Sequence, residues 1–447
     1  MGDGAPDRPN VVVVLSDQQR WDTLGAYGNP MDVTPNLDRM AEAGTLVENA
    51  FTPQPVCGPA RACFQTGQYA TTNGVVRNGR GPIDAGGTLA STFCEHGYRT
   101  GYIGKWHLGD TRTEPIPEEN RGGYEHWRAA DALEFTSQPY EGFVYDENGE
   151  RIDFDGYRVD ALHDFATDYI RDAAASDEPF FCFLSQLEPH HQNELGRYVA
   201  PEGYDYRFRE PWVPPDLRER RGDWYDELPD YYGTCARLDE TVGRLRTELE
   251  DLGIADETIV LYTSDHGSHF RTRNGEYKRS PHDSSIRVPA VLSGPGFDDG
   301  GRIDEPINLV DLTVTLLDAA GIDPPESMQG KSIVPLVEDG DATWKDEIFF
   351  QTAEVQVGRG IRTNRWKYYV TAAEDDPDLE GAGGYVEECL YDLDSDPHEQ
   401  INLVGSGRST YAGTYDDVVA DLRERLRQRM AAAGESDPEI EPAENWR

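Results

Sequence analysis

The chain has 447 residues, of which 37% are hydrophobic and 10% aromatic. That is enough to build a globular core and too much for a disordered chain. Its 41 Lys and Arg against 84 Asp and Glu give a formal charge of −43, which excludes nucleic-acid binding through a basic face and disfavours docking to anionic membranes. Six cysteines in so long a chain do not form a disulfide scaffold, and none of their spacings is typical of a zinc site.

The charge is distributed as in proteins adapted to high salt. Acidic residues occur along the whole chain, with eleven between 371 and 400 and no Lys or Arg there, and only five basic residues are Lys. Salt screens the self-repulsion of such a surface, so we expect a halophilic protein rather than an ordinary acidic mesophilic enzyme. The N-terminus lacks the basic and apolar stretches of a signal peptide, and no run of about 18 apolar residues exists. We therefore expect a cytoplasmic protein.

Predicted strands and helices alternate over the first three quarters of the chain. The apolar run 10–15 is typical of a buried parallel strand. Further strands are predicted at 99–104, 178–187, 257–264 and 288–293. Helices are predicted from caps, glycine stops and an apolar face at 34–44, 59–67, 88–96 and 233–252. This alternation predicts an α/β fold with a large, mainly parallel sheet covered by helices on both faces.

After about residue 340 the pattern changes to short strands without intervening helices. These strands are predicted at 348–352, 359–363, 365–370 and 389–393. A charged amphipathic helix follows at 416–430. We expect a catalytic domain at 8–340 and a smaller C-terminal α+β subdomain at 341–447, with a short antiparallel sheet.

Polar residues with catalytic potential follow four of the predicted strands. They are Asp17 and Gln18, Lys105 and His107, His190, and Asp265 and His266. Because ligands bind beyond the carboxyl ends of the strands in an open α/β sheet, we expect these residues at one edge. The oxygens of Asp17, Gln18 and Asp265 suit a divalent cation. A turn cap would explain Asp17 taken alone, and a buried core position would explain His190 taken alone. Polar residues after four separate strands together favour a functional site.

The segment 55–69 carries the most specific signal. Cys57 precedes a predicted helix whose first turn contains Pro59 and Arg61, and a helix N-terminus favours an oxyanion. A Cys57–Cys63 disulfide and a buried thiol are the structural alternatives. A thiol phosphatase loop needs Arg six positions after the Cys, and that position is Cys63, so this alternative fails.

With these residues the chain resembles the sulfatase family of the alkaline phosphatase superfamily. The family's Cys-x-Pro-x-Arg motif is read here as Cys57-Gly58-Pro59-Ala60-Arg61. The resemblance continues through SDQQRWDTLGAYGN (16–29), TPNLDRMAEAG (34–44), GYIGKWHLG (101–109), EPHH (188–191), SDHG (264–267), Lys278 nine residues before Arg287, and LYDLDSDPHEQINL (390–403). It implies a large α/β sandwich with a smaller C-terminal domain.

The resemblance implies that a formylglycine-generating enzyme oxidises Cys57 to Cα-formylglycine, with Pro59 and Arg61 in its recognition signal. One hydroxyl of the hydrated aldehyde would attack the sulfur of a sulfate ester and expel the alcohol. The other would then lose its proton and release sulfate, restoring the aldehyde.

Roles for the other matched residues are also implied by the resemblance. Metal binding is implied for Asp17, Gln18, Asp265 and His266, together with the modified Cys57. Arg61 would steady the hydrated aldehyde. Lys105 and His107 would contact the nucleophile and the sulfate oxygens, with His107 as base for the elimination. His190 and Lys278 would contact the leaving oxygen, and one of them would protonate it.

Three departures from the family pattern affect which metal and which substrate we expect. Gln18 replaces the second of two adjacent acids, Asn73 stands where histidine is usual, and His190 is followed by His191-Gln192 without the usual proline. Ca²⁺ is the expected metal because most donors are oxygens, and Mn²⁺ and Mg²⁺ are the alternatives.

Three functions follow, in order of preference. The first is a sulfuric ester hydrolase acting on an aryl or carbohydrate sulfate. The second is a phosphonate monoester or phosphodiester hydrolase with the same formylglycine and metal, which Gln18 favours. The third is a non-catalytic binding protein on a sulfatase scaffold. Specificity is expected in loops 111–160 and 191–230, which contain Tyr124, Trp127, Arg197, Trp212 and Trp224.

Overall fold

The computed structural model describes residues 8–84, 86–298, 301–338, 342–374, 379–404, 413–436 and 438–443. Within these ranges the strands form one sheet of twelve and one of five. The strands are β1 Asn10–Ser16, β2 Thr45–Phe51, β3 Arg99–Lys105, β4 His126–Ala130, β5 Ser137–Gln138, β6 Glu141–Tyr145, β7 Arg151–Asp155, β8 Phe180–Ser185, β9 Thr258–Ser264, β10 Arg287–Val288, β11 Ala290–Ser293, β12 Gly301–Asn308, β13 Glu347–Thr352, β14 Gly358–Thr363, β15 Trp366–Ala372, β16 Gly384–Asp392 and β17 Glu439–Glu441. The helices are α1 Pro35–Ala43, α2 Cys57–Thr66, α3 Ala70–Asn73, α4 Leu89–Glu95, α5 Leu133–Thr136, α6 Arg158–Ala174, α7 Tyr204–Arg207, α8 Pro215–Arg218, α9 Trp224–Asp251, α10 Asp283–Ile286, α11 Leu309–Ala319, α12 Val334–Glu338 and α13 Asp416–Ala432.

The middle of the large sheet is parallel, in the order β9-β1-β8-β3-β4. Side chains of β1 alternate between two cores: Val11 and Val13 pack with α2, α4 and α11, whereas Val12 and Val14 pack with α1, α6 and α9. Because both faces are covered, every position of the strand interior is apolar. The predicted α/β fold is confirmed.

Two elements differ from the sequence prediction. Helix α9 begins at Trp224 rather than at 233 and contains Pro229. Its first turns persist because Leu228 and Tyr231 are buried in an aromatic cluster, and this packing outweighs the hydrogen bond that proline cannot donate. The predicted strand 288–293 is divided into β10 and β11 at Pro289, which has no N–H for a ladder.

The small sheet follows the large one in sequence. Strands β13 to β16 pair antiparallel, as expected, and β17 adds a parallel edge strand beside β16. Helix α13 packs Leu422 and Leu426 on this sheet against Ile361 and Tyr368. The domain boundary expected between 340 and 341 lies outside the described residues. No helix in the described ranges is both long and apolar enough to cross a membrane.

Candidate active site

Cys57 is the first residue of helix α2 and lies at the base of a cavity. Its side chain is buried, and Sγ lies 2.8 Å from Lys278 Nζ and 3.3 Å from His266 Nε2. Burial raises the pKa of the Cys57 thiol, but Lys105 and Lys278 outweigh burial and hold it well below its usual range. Lys105 and Lys278 therefore favour a negative charge on the atom at this position.

A group of potential metal ligands surrounds the thiol. One ligand atom each of Asp17, Cys57, Asp265 and His266 can be chosen so that all lie within 4.8 Å of one another. His266 Nδ1 faces the Gly267 carbonyl at 3.0 Å and must donate to it, so Nε2 is left with a lone pair. Burial, followed by the charge of Asp17, raises the pKa of Asp265. Two buried carboxylates this close call for a cation.

Arg61 supplies part of this positive charge. Its Nη2 lies 3.1 Å from Asp17 Oδ2 and 3.2 Å from Asp265 Oδ2, while Nη1 donates to the Lys105 carbonyl at 2.9 Å. Burial would lower the pKa of Arg61, but the two carboxylates raise it well above its usual range. Arg61 therefore remains charged and holds the Oδ2 atoms of both aspartates.

Gln18 completes a set of acceptors that fits a divalent cation. Its backbone has φ 72°, which turns the chain so that its N–H donates to Asp265 Oδ1 at 3.0 Å. Its Nε2 donates to the Tyr198 hydroxyl at 2.7 Å, whereas its Oε1 is buried and has no hydrogen-bond partner among the described residues. An orphaned amide oxygen beside two carboxylates and an imidazole lone pair is the donor set of a hard metal ion.

Lys105 and Glu134 form a buried ion pair beside the ligand group. Lys105 Nζ lies 2.8 Å from Asp17 Oδ2 and 3.3 Å from Glu134 Oε2. Burial raises the pKa of Glu134, but Lys105 and the nearby His107 and His190 outweigh it and lower the pKa to about 2. Burial and the Cys57 thiol raise the pKa of Asp17, but Lys105, His190 and Lys278 outweigh them and hold it far below its usual range. Both carboxylates are therefore ionised.

Three histidines line the remaining wall. His107 has φ 61°, and its N–H donates to the Asp131 carbonyl at 2.7 Å. His190 Nδ1 faces the His191 carbonyl at 2.7 Å and donates to it, so Nε2 points toward Lys278 Nζ at 3.4 Å. Burial, followed by His190 and Lys278, lowers the pKa of His191 to about 2, so His191 is neutral. Of the adjacent histidines His190 and His191, His190 is the one whose Nε2 lies beside Lys278 Nζ.

The cavity above Cys57 has a volume of about 340 Å³. It is lined by Gln18, Cys57, Asn78, His107, Glu134, His190, His191, Asn193, Arg271, Gly275, Glu276, Tyr277, Lys278 and Arg279. A larger groove of about 800 Å³ between α6 and α9 contains none of the residues predicted for the site. The cavity can hold a sulfate group and part of its alcohol.

The structure brings all the predicted site residues to the carboxyl-end edge of the parallel strands. Glu134 and Tyr198 also lie at the site, but no sequence motif marks either residue. Tyr124 and Trp127 were expected in a specificity loop, but both are buried in the core on one face of the large sheet. There Trp127 stacks on Tyr102, and Tyr124 packs edge-on against Phe183. Trp127 and Tyr124 therefore contribute packing rather than substrate contacts.

The fold and the site together define an α/β protein with a buried thiol beside a group of potential metal ligands. The chain belongs to the sulfatase family, whose model matches residues 9–322. A second model, for the C-terminal part of N-sulphoglucosamine sulphohydrolase, matches residues 275–432. The chain is therefore a hydrolase that acts on sulfate esters.

Its relatives share most of its length. It is 30% identical to the ulvan-active sulfatase of Formosa agariphila, over 96% of this chain and 82% of that protein. It is 29% identical to an arylsulfatase of Clostridium perfringens, over 89% of this chain and 91% of that protein. A structure solved in complex with its substrate D-glucosamine-2-N,6-O-disulfate has a TM-score of 0.78 at 23% identity, covering 96% of this chain and 99% of that chain. This last likeness shows the fold.

Proposed function

We propose that this sulfatase cleaves an aryl or carbohydrate sulfate monoester at residue 57, after a formylglycine-generating enzyme has oxidised the Cys57 thiol to Cα-formylglycine. One observation carries the proposal. Cys57 Sγ lies buried at a helix N-terminus, 2.8 Å from Lys278 Nζ and 3.6 Å from Asp17 Oδ1. A nucleophile here has a cation on one side and metal ligands on the other.

The implied groups fit the residues around them. When bound, the divalent ion supplies positive charge against the sulfate oxygens, and the hydrated formylglycine supplies a hydroxyl nucleophile. Asp17, Gln18, Asp265 and His266 would hold the ion. Arg61 orients the two aspartates, because its Nη2 pairs with Oδ2 of each.

Two pairs of residues stabilise the charge of the sulfate group and transfer protons during the reaction. Lys105 and His107 would contact the nucleophile and the sulfate oxygens. Lys105 supplies the positive charge there, and His107 acts as the base that removes the proton of the second hydroxyl, which lets sulfate depart. Lys278 and His190 meet at 3.4 Å and contact the leaving alcohol oxygen, and one of the two gives it the proton that it needs as the S–O bond breaks. His190 is suited to this because its Nδ1 is fixed by the His191 carbonyl, which aims Nε2 at the reacting groups.

We propose Ca²⁺ as the metal, with Mn²⁺ and Mg²⁺ as alternatives. Three of the four protein ligands besides residue 57 offer oxygen, which Ca²⁺ prefers, whereas His266 would suit Mn²⁺. Elemental analysis of protein purified without added metal distinguishes the three ions. Calcium at one equivalent supports the proposal, and one equivalent of manganese or magnesium with no calcium overturns it.

We also propose a halophilic protein from a high-salt cytoplasm. In support, Lys105, Lys278 and Lys367 are buried, so the surface is nearly free of lysine while acidic residues cover it. Thermal unfolding in molar and in millimolar KCl tests this. A Tm that rises steeply with KCl is expected, and full stability and activity at low salt would contradict it.

We propose that residues 8–340 form the catalytic domain and residues 341–447 the C-terminal subdomain. In support, the strands of the large sheet end at Asn308 and those of the small sheet begin at Glu347.

Parallel assays test the reaction itself. Protein co-expressed with a formylglycine-generating enzyme is given 4-nitrophenyl sulfate and an aryl phosphonate monoester at molar KCl, with Cys57→Ala as the matched control. We expect sulfate turnover that the Cys57→Ala variant lacks. Faster phosphonate turnover would establish the alternative activity, and turnover of neither would favour a binding protein.

A further inference from the structure

The tip of the hairpin between β13 and β14 touches the two chain segments that lead to the catalytic groups. Glu354, at this tip, accepts two hydrogen bonds. Its Oε1 accepts from the backbone N–H of Asn78 at 2.7 Å, and its Oε2 accepts from Arg279 Nε at 2.7 Å. One carboxylate of the small sheet therefore joins two loops of the large domain.

Each of these two contacts leads to the chain neighbour of a residue that we propose to be catalytic. The Asn78 side chain accepts from the Gly58 N–H at 2.9 Å. That N–H is one of the first-turn donors of α2 that have no partner within the helix, and it belongs to the residue after Cys57. Arg279 directly follows Lys278, whose Nζ lies 2.8 Å from Cys57 Sγ. Glu354 thus connects the neighbours of the two residues that meet at the reaction centre.

Both residues of the Glu354–Arg279 contact have unfavourable backbone conformations. Glu354 has φ 69° and Arg279 has φ 64°, both in the left-handed region that side chains other than glycine rarely adopt. The Gln351 N–H also donates to the Pro53 carbonyl at 2.7 Å, which places the hairpin beside the segment that enters α2. The Glu354 carboxylate and the Arg279 guanidinium balance each other's charge at this junction.

We propose that Glu354 is a positioning residue that sets the distance between the residue 57 nucleophile and Lys278. It is not among the residues that line the cavity, so it acts through Asn78 and Arg279. The inference rests on the proposed function, because it assigns Lys278 to the leaving oxygen. It also gives the small sheet a part in catalysis.

The variant Glu354→Gly tests this, because glycine removes the carboxylate and also accepts the positive φ. We expect kcat for 4-nitrophenyl sulfate to fall about 10- to 100-fold, with KM changed less than about twofold. The loss should be larger for phenyl sulfate, a poorer leaving group, because Lys278 acts on the leaving oxygen. Glu354→Gln, which keeps an acceptor for Asn78, should fall between wild type and Glu354→Gly.

Glu347→Gln is the matched control. Glu347 lies at the other end of β13 and pairs with Arg425 and Arg429 of α13, far along the strand from the cavity. Its loss should lower Tm and leave both kinetic constants within about twofold. A fall of kcat in Glu347→Gln equal to that in Glu354→Gly would make the effect one of stability and overturn the proposal.

Hydrogen exchange provides a readout that needs no substrate. Glu354→Gly should speed exchange at the amides of Asn78 and Gly58, and Glu347→Gln should not. Unchanged exchange at both amides overturns the proposal, whatever the enzyme hydrolyses. An active wild type with unchanged kcat in Glu354→Gly also overturns it, whereas an inactive, fully modified wild type overturns the proposed function instead.

Discussion

Glu134→Gln should destabilise the protein, because it removes one partner of a buried ion pair with Lys105. The pKa of Glu134 is lowered from 4.5 to about 2 in the folded protein. At about 1.4 kcal/mol for each pKa unit, ionised Glu134 stabilises the fold at pH 7 by about 3 kcal/mol. Because the folded pKa lies below the unfolded one, this stability is present above pH 4.5 and is lost as the pH falls through about 2. About half of it should remain near pH 3.

Urea unfolding at pH 7 and at lower pH measures this contribution. We expect the unfolding free energy of Glu134→Gln to be about 3 kcal/mol below wild type at pH 7, with the difference shrinking toward pH 3. The control is Glu141→Gln on strand β6, an exposed glutamate that should change stability by less than about 0.5 kcal/mol. A Glu134→Gln variant as stable as Glu141→Gln, or a difference that does not shrink in acid, would refute the reasoning.

Other changes at the site have predicted outcomes. Lys278→Ala should lower kcat/KM for 4-nitrophenyl sulfate by about 10²- to 10⁴-fold, since it removes charge and a proton source from the leaving oxygen; a change below threefold in steady-state assays would contradict this role. Removal of metal with a chelator should lower Tm in scanning fluorimetry, because Asp17 and Asp265 then repel each other, and one equivalent of added ion should restore it. Arg61→Met should lower the unfolding free energy by about 3–5 kcal/mol in urea titrations, because the buried carboxylates of Asp17 and Asp265 lose the cation that they share; an unchanged midpoint would contradict this.

The fold class could be predicted from sequence because covered parallel strands have a distinctive composition. The run at Val11–Leu15 is apolar at every position, since alternate side chains enter two different cores. The start of α9 could not be predicted, because Pro229 and polar neighbours conceal a helix that tertiary packing stabilises. Helices α6 and α11 and the hairpin of β6 and β7 had no prediction at all.

The candidate site was predictable where a motif or a strand end marked a residue. Asp17, Lys105 and Asp265 follow strands, and Cys57 opens a helix in a specific motif. Glu134 and Glu354 could not be found this way, because the tertiary fold brings Glu134 to Lys105 and Glu354 to Asn78 from separate segments of the chain. The roles of the predicted residues remain predictions until the variants are measured.

The central claim is that residue 57 acts as an aldehyde rather than a thiol. The mass of the tryptic peptide spanning residues 40–61, taken from active protein made in its own host, tests it most directly. We predict the mass of formylglycine, in which one oxygen has replaced the sulfur and two hydrogens of Cys57. An intact cysteine in fully active protein would contradict the account.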